Sequence, residues 1–296
     1  MIPSSTINAD DLRAPKGEIG ADSPHPPTQI FWSFVRLIAT RWPQYSTEAA
    51  LLGLFMISAC VFTVLFELPS SLVRQNIPSA FLRRVMTGVV MGLTAIALIY
   101  SPWGQRSGAH INPSVTLTFY RLGKIQIGDA ALYILSQFAG GIGGVVIAML
   151  LLGSSVGRPE VQYAATYPGQ AGTALAVAGE FVISFLMMSM VLYVSNHASL
   201  SRFTGLFAGL LVATYITFEA PFSGMSMNPA RTLASALPSG IWRGFWIYLI
   251  VPPLGMLAAA ELYLRRTTNG FIRCCKMYHN PKRHCIFCGA NGDFHE

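Results

Sequence analysis

The chain has 296 residues, of which 52% are hydrophobic and only 11% charged, and its mean hydropathy is +0.48. An ordinary soluble domain carries about twice that share of charge, so the composition points to an integral membrane protein. The formal net charge of +7 does not mark a nucleic-acid binder, because the basic residues are spread over loops and tails between apolar stretches.

The first 28 residues are polar, proline-bearing and mixed in charge, which is not the basic-then-apolar pattern of a secretory signal. Residues 1–46 are expected to form a disordered N-terminal tail. Six stretches then follow, near 47–66, 85–101, 128–152, 173–194, 203–218 and 241–263. Five of them match the roughly 17–25 mostly apolar residues that a helix needs to cross a hydrocarbon core, and the one at 203–218, the shortest, comes close to it.

Two shorter segments interrupt this series. Between the second and third spans lies SGAHINPSVTLTFYR, Ser107 to Arg121, and between the fifth and sixth lies SGMSMNPARTLASA, Ser223 to Ala236. In each, an asparagine able to cap a helix precedes a proline able to begin one: Asn112 and Pro113, Asn228 and Pro229. Glycines Gly108 and Gly224 stand four residues before the asparagines. The second segment predicts a half-helix from Pro229 to about Leu237, ended by Pro238, Ser239 and Gly240.

The likeness extends beyond these pairs. Gly88 and Gly92 form a GxxxG in the second span and Gly205 and Gly209 form one in the fifth, while Glu48 and Glu180 stand in the first span of each half. Three spans per half is an odd number, so a repeat of about 47–152 and 173–263 must be inverted. The expected fold is an all-α membrane protein of six transmembrane helices and two re-entrant half-helices meeting N-terminus to N-terminus near the midplane. Such a centre presents positive dipole ends and the amide hydrogens of Asn112 and Asn228, which suits the oxygen of a neutral solute and repels cations.

Fourteen of the 20 Lys and Arg residues fall on the side that holds both tails, which predicts cytoplasmic termini and a multi-pass protein of the cell membrane. Arg231, one helical turn beyond Asn228, is too costly to face lipid and must face a pore or polar cavity. The alternative is a structural pairing with Glu219.

These paired motifs resemble those of the aquaporin, or major intrinsic protein, family. The likeness covers about 47–264, with SGAHINPSVT and GMSMNPART close to the family's signature runs. It implies a passive channel for water and small uncharged solutes (glycerol, urea, ammonia, hydrogen peroxide or neutral metalloid acids), with no enzymatic chemistry, no required cofactor and a homotetrameric assembly in the bilayer. It implies a pore centre of Asn112, Pro113, Ser114, Asn228, Pro229 and Ala230, with Ser114 replacing the family's usual alanine. By the same resemblance the narrow filter falls at Arg231, Ile216, Met225 and either Met91 or Gly92. His110, Glu48 and Glu180 then support the re-entrant loops. Neither the histidine typical of strict water channels nor the aromatic corner typical of glycerol channels is present, so the filter reads as aliphatic and adaptable. A strict water channel stays as the alternative.

The glycine pairs, including Gly140/Gly144, are expected where the halves cross, and Trp32, Trp42, Trp103, Trp242 and Trp246 at the membrane interfaces. A secondary transporter would share the inverted repeat, but apart from Glu48 and Glu180 the spans offer no carboxylates for coupling ions. No nucleophile and base pair within the spans suggests an enzyme.

Residues 265–296 lie outside the resemblance. Four of the five cysteines crowd here beside histidines. The CxxC of Cys285 and Cys288 leaves three readings open: a zinc site completed by Cys275 and His279 or Cys274, a redox-responsive thiol pair, or an unliganded tail. The first two would make the tail a regulator of the channel.

Overall fold

The computed structural model describes residues 27–267, 271–279 and 285–288, and among them every regular element is a helix. The chain divides into two compact units, residues 1–40 and 41–296. The described part of the first is the opening of a helix, where the Thr40 hydroxyl donates back to the Arg36 carbonyl at 2.8 Å. The packing and the site described below belong to the second.

Among the described residues, six helices are long and apolar enough to cross a membrane. The elements run α1 (Pro27–Glu67), α2 (Leu72–Asn76), α3 (Ala80–Tyr100), α4 (Pro102–Ser107), α5 (Pro113–Arg121), α6 (Ile127–Leu152), α7 (Thr173–Ser195), α8 (Thr204–Phe218), α9 (Ala220–Ser223), α10 (Pro229–Ser239) and α11 (Phe245–Arg266). The spans are α1, α3, α6, α7, α8 and α11. The two Asn-Pro segments become α5 and α10, of 9 and 11 residues, too short to cross a bilayer alone.

Two boundaries differ from the sequence expectation. Residues 27–46 are helical, not a loose tail, because apolar residues such as Phe34, Leu37 and Ile38 keep recurring at helical intervals and Pro27 supplies a compatible first turn. Residues 1–26 lie outside the described ones. At the other boundary, Pro238 sits inside α10, and the helix runs two residues further than predicted, to Ser239, before Gly240 ends it in the left-handed conformation (φ 68°). The stop signal there is the glycine, whose missing Cβ permits that φ.

Lipid tails are as apolar as leucine, so membrane helices gain from close van der Waals contact more than from burial. Small residues set the approach accordingly. A Cβ on Gly92 would lie 2.5 Å from the Gly209 carbonyl oxygen, and one on Gly209 would lie 2.6 Å from that of Gly92. Gly92 and Gly209 therefore meet where α3 of the first half crosses α8 of the second, while in the same crossing Gly88 faces Ala213 and Gly205 faces Ile99 and Tyr100. Gly140 and Gly144 behave differently from expectation. Their missing Cβ atoms face Ala49 and Gly53, so they bring α6 onto α1 within the first half.

Each half-helix packs on the third span of the opposite half as well as its own: α5 on α11 and α6, α10 on α6 and α11. Ala230 and Ala234 of α10 are buried in one cluster with Leu52 and Met56 of α1 and Val145 and Ala148 of α6. The inverted repeat is thus interleaved.

Candidate functional site

The residues before each asparagine carry unusual backbone. Ala109, Ile111, Met225 and Met227 all have positive φ, between 49° and 56°, besides Gly108 and Gly224. For a β-branched residue such as Ile111 this costs on the order of 1–3 kcal/mol, so something must hold it. Glu48 and Glu180 do so. Glu48 is fully buried and accepts the His110 and Ile111 N–H groups at 3.0 and 2.7 Å, and Gln137 Nε2 at 3.0 Å. Glu180, equally buried, accepts the Ser226 and Met227 N–H groups at 2.7 and 2.8 Å, and the Ser223 hydroxyl at 2.9 Å. The two carboxylates take the same two N–H groups relative to their asparagines, one and two residues upstream.

The asparagines then interlock. Asn112 Oδ1 accepts the Ser114 N–H at 2.8 Å, and Asn228 Oδ1 accepts those of Ala230 and Arg231 at 3.0 and 3.3 Å, as N-caps should. Each Nδ2 crosses to the other half: Asn112 to the Met227 carbonyl at 2.7 Å, Asn228 to the Ile111 carbonyl at 2.8 Å. One amide hydrogen of each asparagine is therefore spent on the scaffold, and one is left for a solute.

Both asparagines line a cavity of about 520 Å³ that extends from Glu67 and Arg84 at one end to Met277 at the other. Pro113, Ser114, Pro229 and Ala230 are buried and do not line it. Arg231, Ile216, Met225 and Met91 all do. Gly92, the alternative to Met91, faces Gly209 and belongs to the helix crossing. Arg231 Nη1 is buried without a hydrogen-bond partner, and among the described residues no carboxylate forms an ion pair with this arginine. Glu219 instead accepts from Ser223 at 2.9 Å. Thr87, Arg84 and Glu67 also line the cavity; they stood in or near predicted spans without a motif to single them out.

His110 is 1% exposed, with Nδ1 3.0 Å from Thr116 Oγ1 and Nε2 2.8 Å from the Cys275 carbonyl oxygen. A carbonyl only accepts, so in the neutral ring Nε2 carries the hydrogen and Nδ1 accepts from the threonine. This bond ties the C-terminal segment to the first re-entrant loop. That bond uses the backbone carbonyl of Cys275, and its thiol is not in the converging group: the thiols and imidazole that meet are those of Cys274, His279, Cys285 and Cys288, all within 4.8 Å of one another. Of the two adjacent cysteines that the sequence left open, it is Cys274 that joins this group.

Of the five tryptophans, Trp42, Trp103, Trp242 and Trp246 are each roughly half exposed near span ends, while the side chain of Trp32 lies outside the described residues.

Six spans and two re-entrant half-helices, capped by interlocked asparagines and strapped by buried glutamates, define a multi-pass all-helical membrane protein with a polar-centred cavity. The family model for the major intrinsic proteins matches residues 44–263, and the chain belongs to that family. Among curated relatives it is 35% identical over 180 residues to Aquaporin NIP1-1 of Arabidopsis thaliana, covering 59% of this chain and 60% of that one. It is 33% identical over 187 residues to a probable NIP-type aquaporin of Nicotiana alata, covering 62% and 67%. The match to the first of these thus spans about 60% of the relative's length. Among solved structures, the aquaglyceroporin of Plasmodium falciparum shares the fold, with a TM-score of 0.61, 17% identity, and coverage of 77% of this chain and 97% of that one.

Proposed function

We propose that the protein is a passive channel of the cell membrane for water and small uncharged solutes, with both termini cytoplasmic. The observation that carries this reading is the cavity passing both asparagines with an unpartnered arginine nitrogen on its wall. Arg231 offers hydrogen-bond donors and a fixed positive charge, which hold a neutral oxygen and repel cations and protons. The rest of the filter, Met91, Ile216 and Met225, is apolar, and two of the three are unbranched thioethers that adapt to what passes. That favours solutes larger than water, such as glycerol, urea or neutral metalloid acids, alongside ammonia, hydrogen peroxide and water itself. The likeness to NIP-type aquaporins and to an aquaglyceroporin fold supports the class. A homotetramer, each subunit with its own pore, is part of the same proposal and is tested by the mass of the purified protein in detergent.

Stopped-flow light scattering on proteoliposomes tests the reading. Fast shrinkage in an impermeant osmotic gradient followed by rapid reswelling in glycerol or urea is the expected result. Water flow without solute flux would make it a strict water channel. Rates no faster than those of empty liposomes, for the full chain and for a chain ending at Arg266, would overturn it.

A further inference from the structure

We propose that the C-terminal segment is a metal-organised plug, in which Cys274, His279, Cys285 and Cys288 bind one zinc ion and thereby hold residues 275–278 in the tail-side mouth of the cavity. The site stands on its own geometry; its effect on flow rests on the channel reading above.

The donor set comes first. Three thiols and an imidazole form a soft, four-ligand group suited to tetrahedral zinc and unsuited to hard cations such as calcium or magnesium. Bond lengths of about 2.3 Å to sulfur and 2.0–2.1 Å to nitrogen place tetrahedral ligand atoms roughly 3.5–3.8 Å apart. Cys274 Sγ lies 3.5 Å from Cys285 Sγ, and His279 Nε2 lies 3.3 Å from Cys288 Sγ. All four ligand atoms fall within 4.8 Å of each other, and only Cys288 is more than slightly exposed among the three cysteines. The four converge without the help of a strand or helix, so a shared ligand is what would reward their meeting.

The position of the site gives it a consequence. Four residues separate the first two ligands, Cys274 and His279, and each of the four touches the channel. The Cys275 carbonyl accepts from His110 Nε2 at 2.8 Å. Lys276 Nζ donates to the Gln105 carbonyl at 2.8 Å, and the Met277 N–H donates to the Gly108 carbonyl at 3.0 Å. The Tyr278 ring meets Tyr100 edge-on, with centroids 5.0 Å apart. The fit is close at Gly108, where a Cβ would lie 3.0 Å from Lys276 Cγ. Met277, 7% exposed, lines the same cavity as Asn112 and Asn228. Zinc closing the 274–279 loop would preorganise this contact surface, and losing the zinc would free Met277 from the mouth.

The test uses the full-length chain, purified from zinc-replete cells, with zinc measured by mass spectrometry and water permeability by stopped flow. The proposal predicts about one zinc per chain, a roughly tenfold rise in permeability on treatment with a membrane-permeant zinc chelator, and its reversal by added zinc. Cys285→Ser should lose the zinc and be open without chelator. Met277→Ala should keep the zinc and lose the response, which holds the proposal to account even where the cysteine variant is not recovered folded. Absence of zinc, in the purified protein and after titration with zinc chloride, overturns the site. Zinc that binds and leaves without changing permeability overturns the plug. A response to reductant in place of chelator assigns the switch to a Cys274–Cys285 disulfide and overturns the metal. Failure of the channel reading looks different: no form conducts, while the zinc stoichiometry still decides the site.

Discussion

Ser114 sits one residue into the first half-helix, fully buried, with its hydroxyl oxygen lacking a partner among the described residues. An unsatisfied buried hydroxyl costs about 1–3 kcal/mol. Ser114→Ala is therefore expected to raise the thermal midpoint in detergent by roughly 2–4 °C for each kcal/mol recovered. Because Ser114 does not line the cavity, solute rates should stay unchanged. Glu219, just beyond the end of the fifth span, makes a second prediction. Burial first, and then the neighbouring Glu180 charge, push its carboxyl up to about 8 from 4.5, against the opposing Ser223 hydroxyl. The unfolded chain then releases this proton at lower pH than the folded one. The stability contribution is complete below about pH 4.5 and is lost as the pH rises through 8. Thermal midpoints should fall between pH 5 and pH 8.5 in the wild type, and Glu219→Gln should flatten that part of the profile.

The spacing of α3 and α8 is set by backbone meeting backbone at Gly92 and Gly209, where a Cβ would come within 2.5–2.6 Å of a carbonyl oxygen. No flexible side chain can yield at that contact. Gly209→Val should therefore abolish monodisperse protein in size-exclusion chromatography, whereas Gly143→Ala, where a Cβ meets nothing within 4 Å, should behave as wild type. Much of this level could be read from the sequence. Span lengths follow from hydropathy, and the half-helices announce themselves through Asn-Pro because capping and proline placement are local chemistry. The rest depended on which faces meet. Gly140 and Gly144 look the same in sequence as the other pairs, yet they serve a contact within one half. Met91 and Gly92 differ by one residue, about 100° around a helix, and only packing decides which one reaches the cavity. Cys274 and Cys275 pose the same problem without even a helical period to help.

At the scale of the molecule, the two halves are joined less by the 158–172 connection than by what they exchange at the centre. Each asparagine caps its own half-helix and bonds a carbonyl of the other loop, and each half-helix packs on the third span of its counterpart. If those contacts carry the assembly, cutting the covalent link should be tolerated. Two chains split within 158–172 and co-expressed should copurify and support solute flux in liposomes, while either alone should not. The same exchange has a meaning for biosynthesis. The crossed bonds join residues 115 and 117 positions apart, so at about 5–20 residues per second the ribosome delivers the second partner roughly 6–23 seconds after the first. Through that interval Asn112 and the Ile111 carbonyl have no partner from the second half. The first half must therefore wait in the translocon or a hydrated lipid environment, and its re-entrant loop reaches its final place only when the last third of the protein arrives.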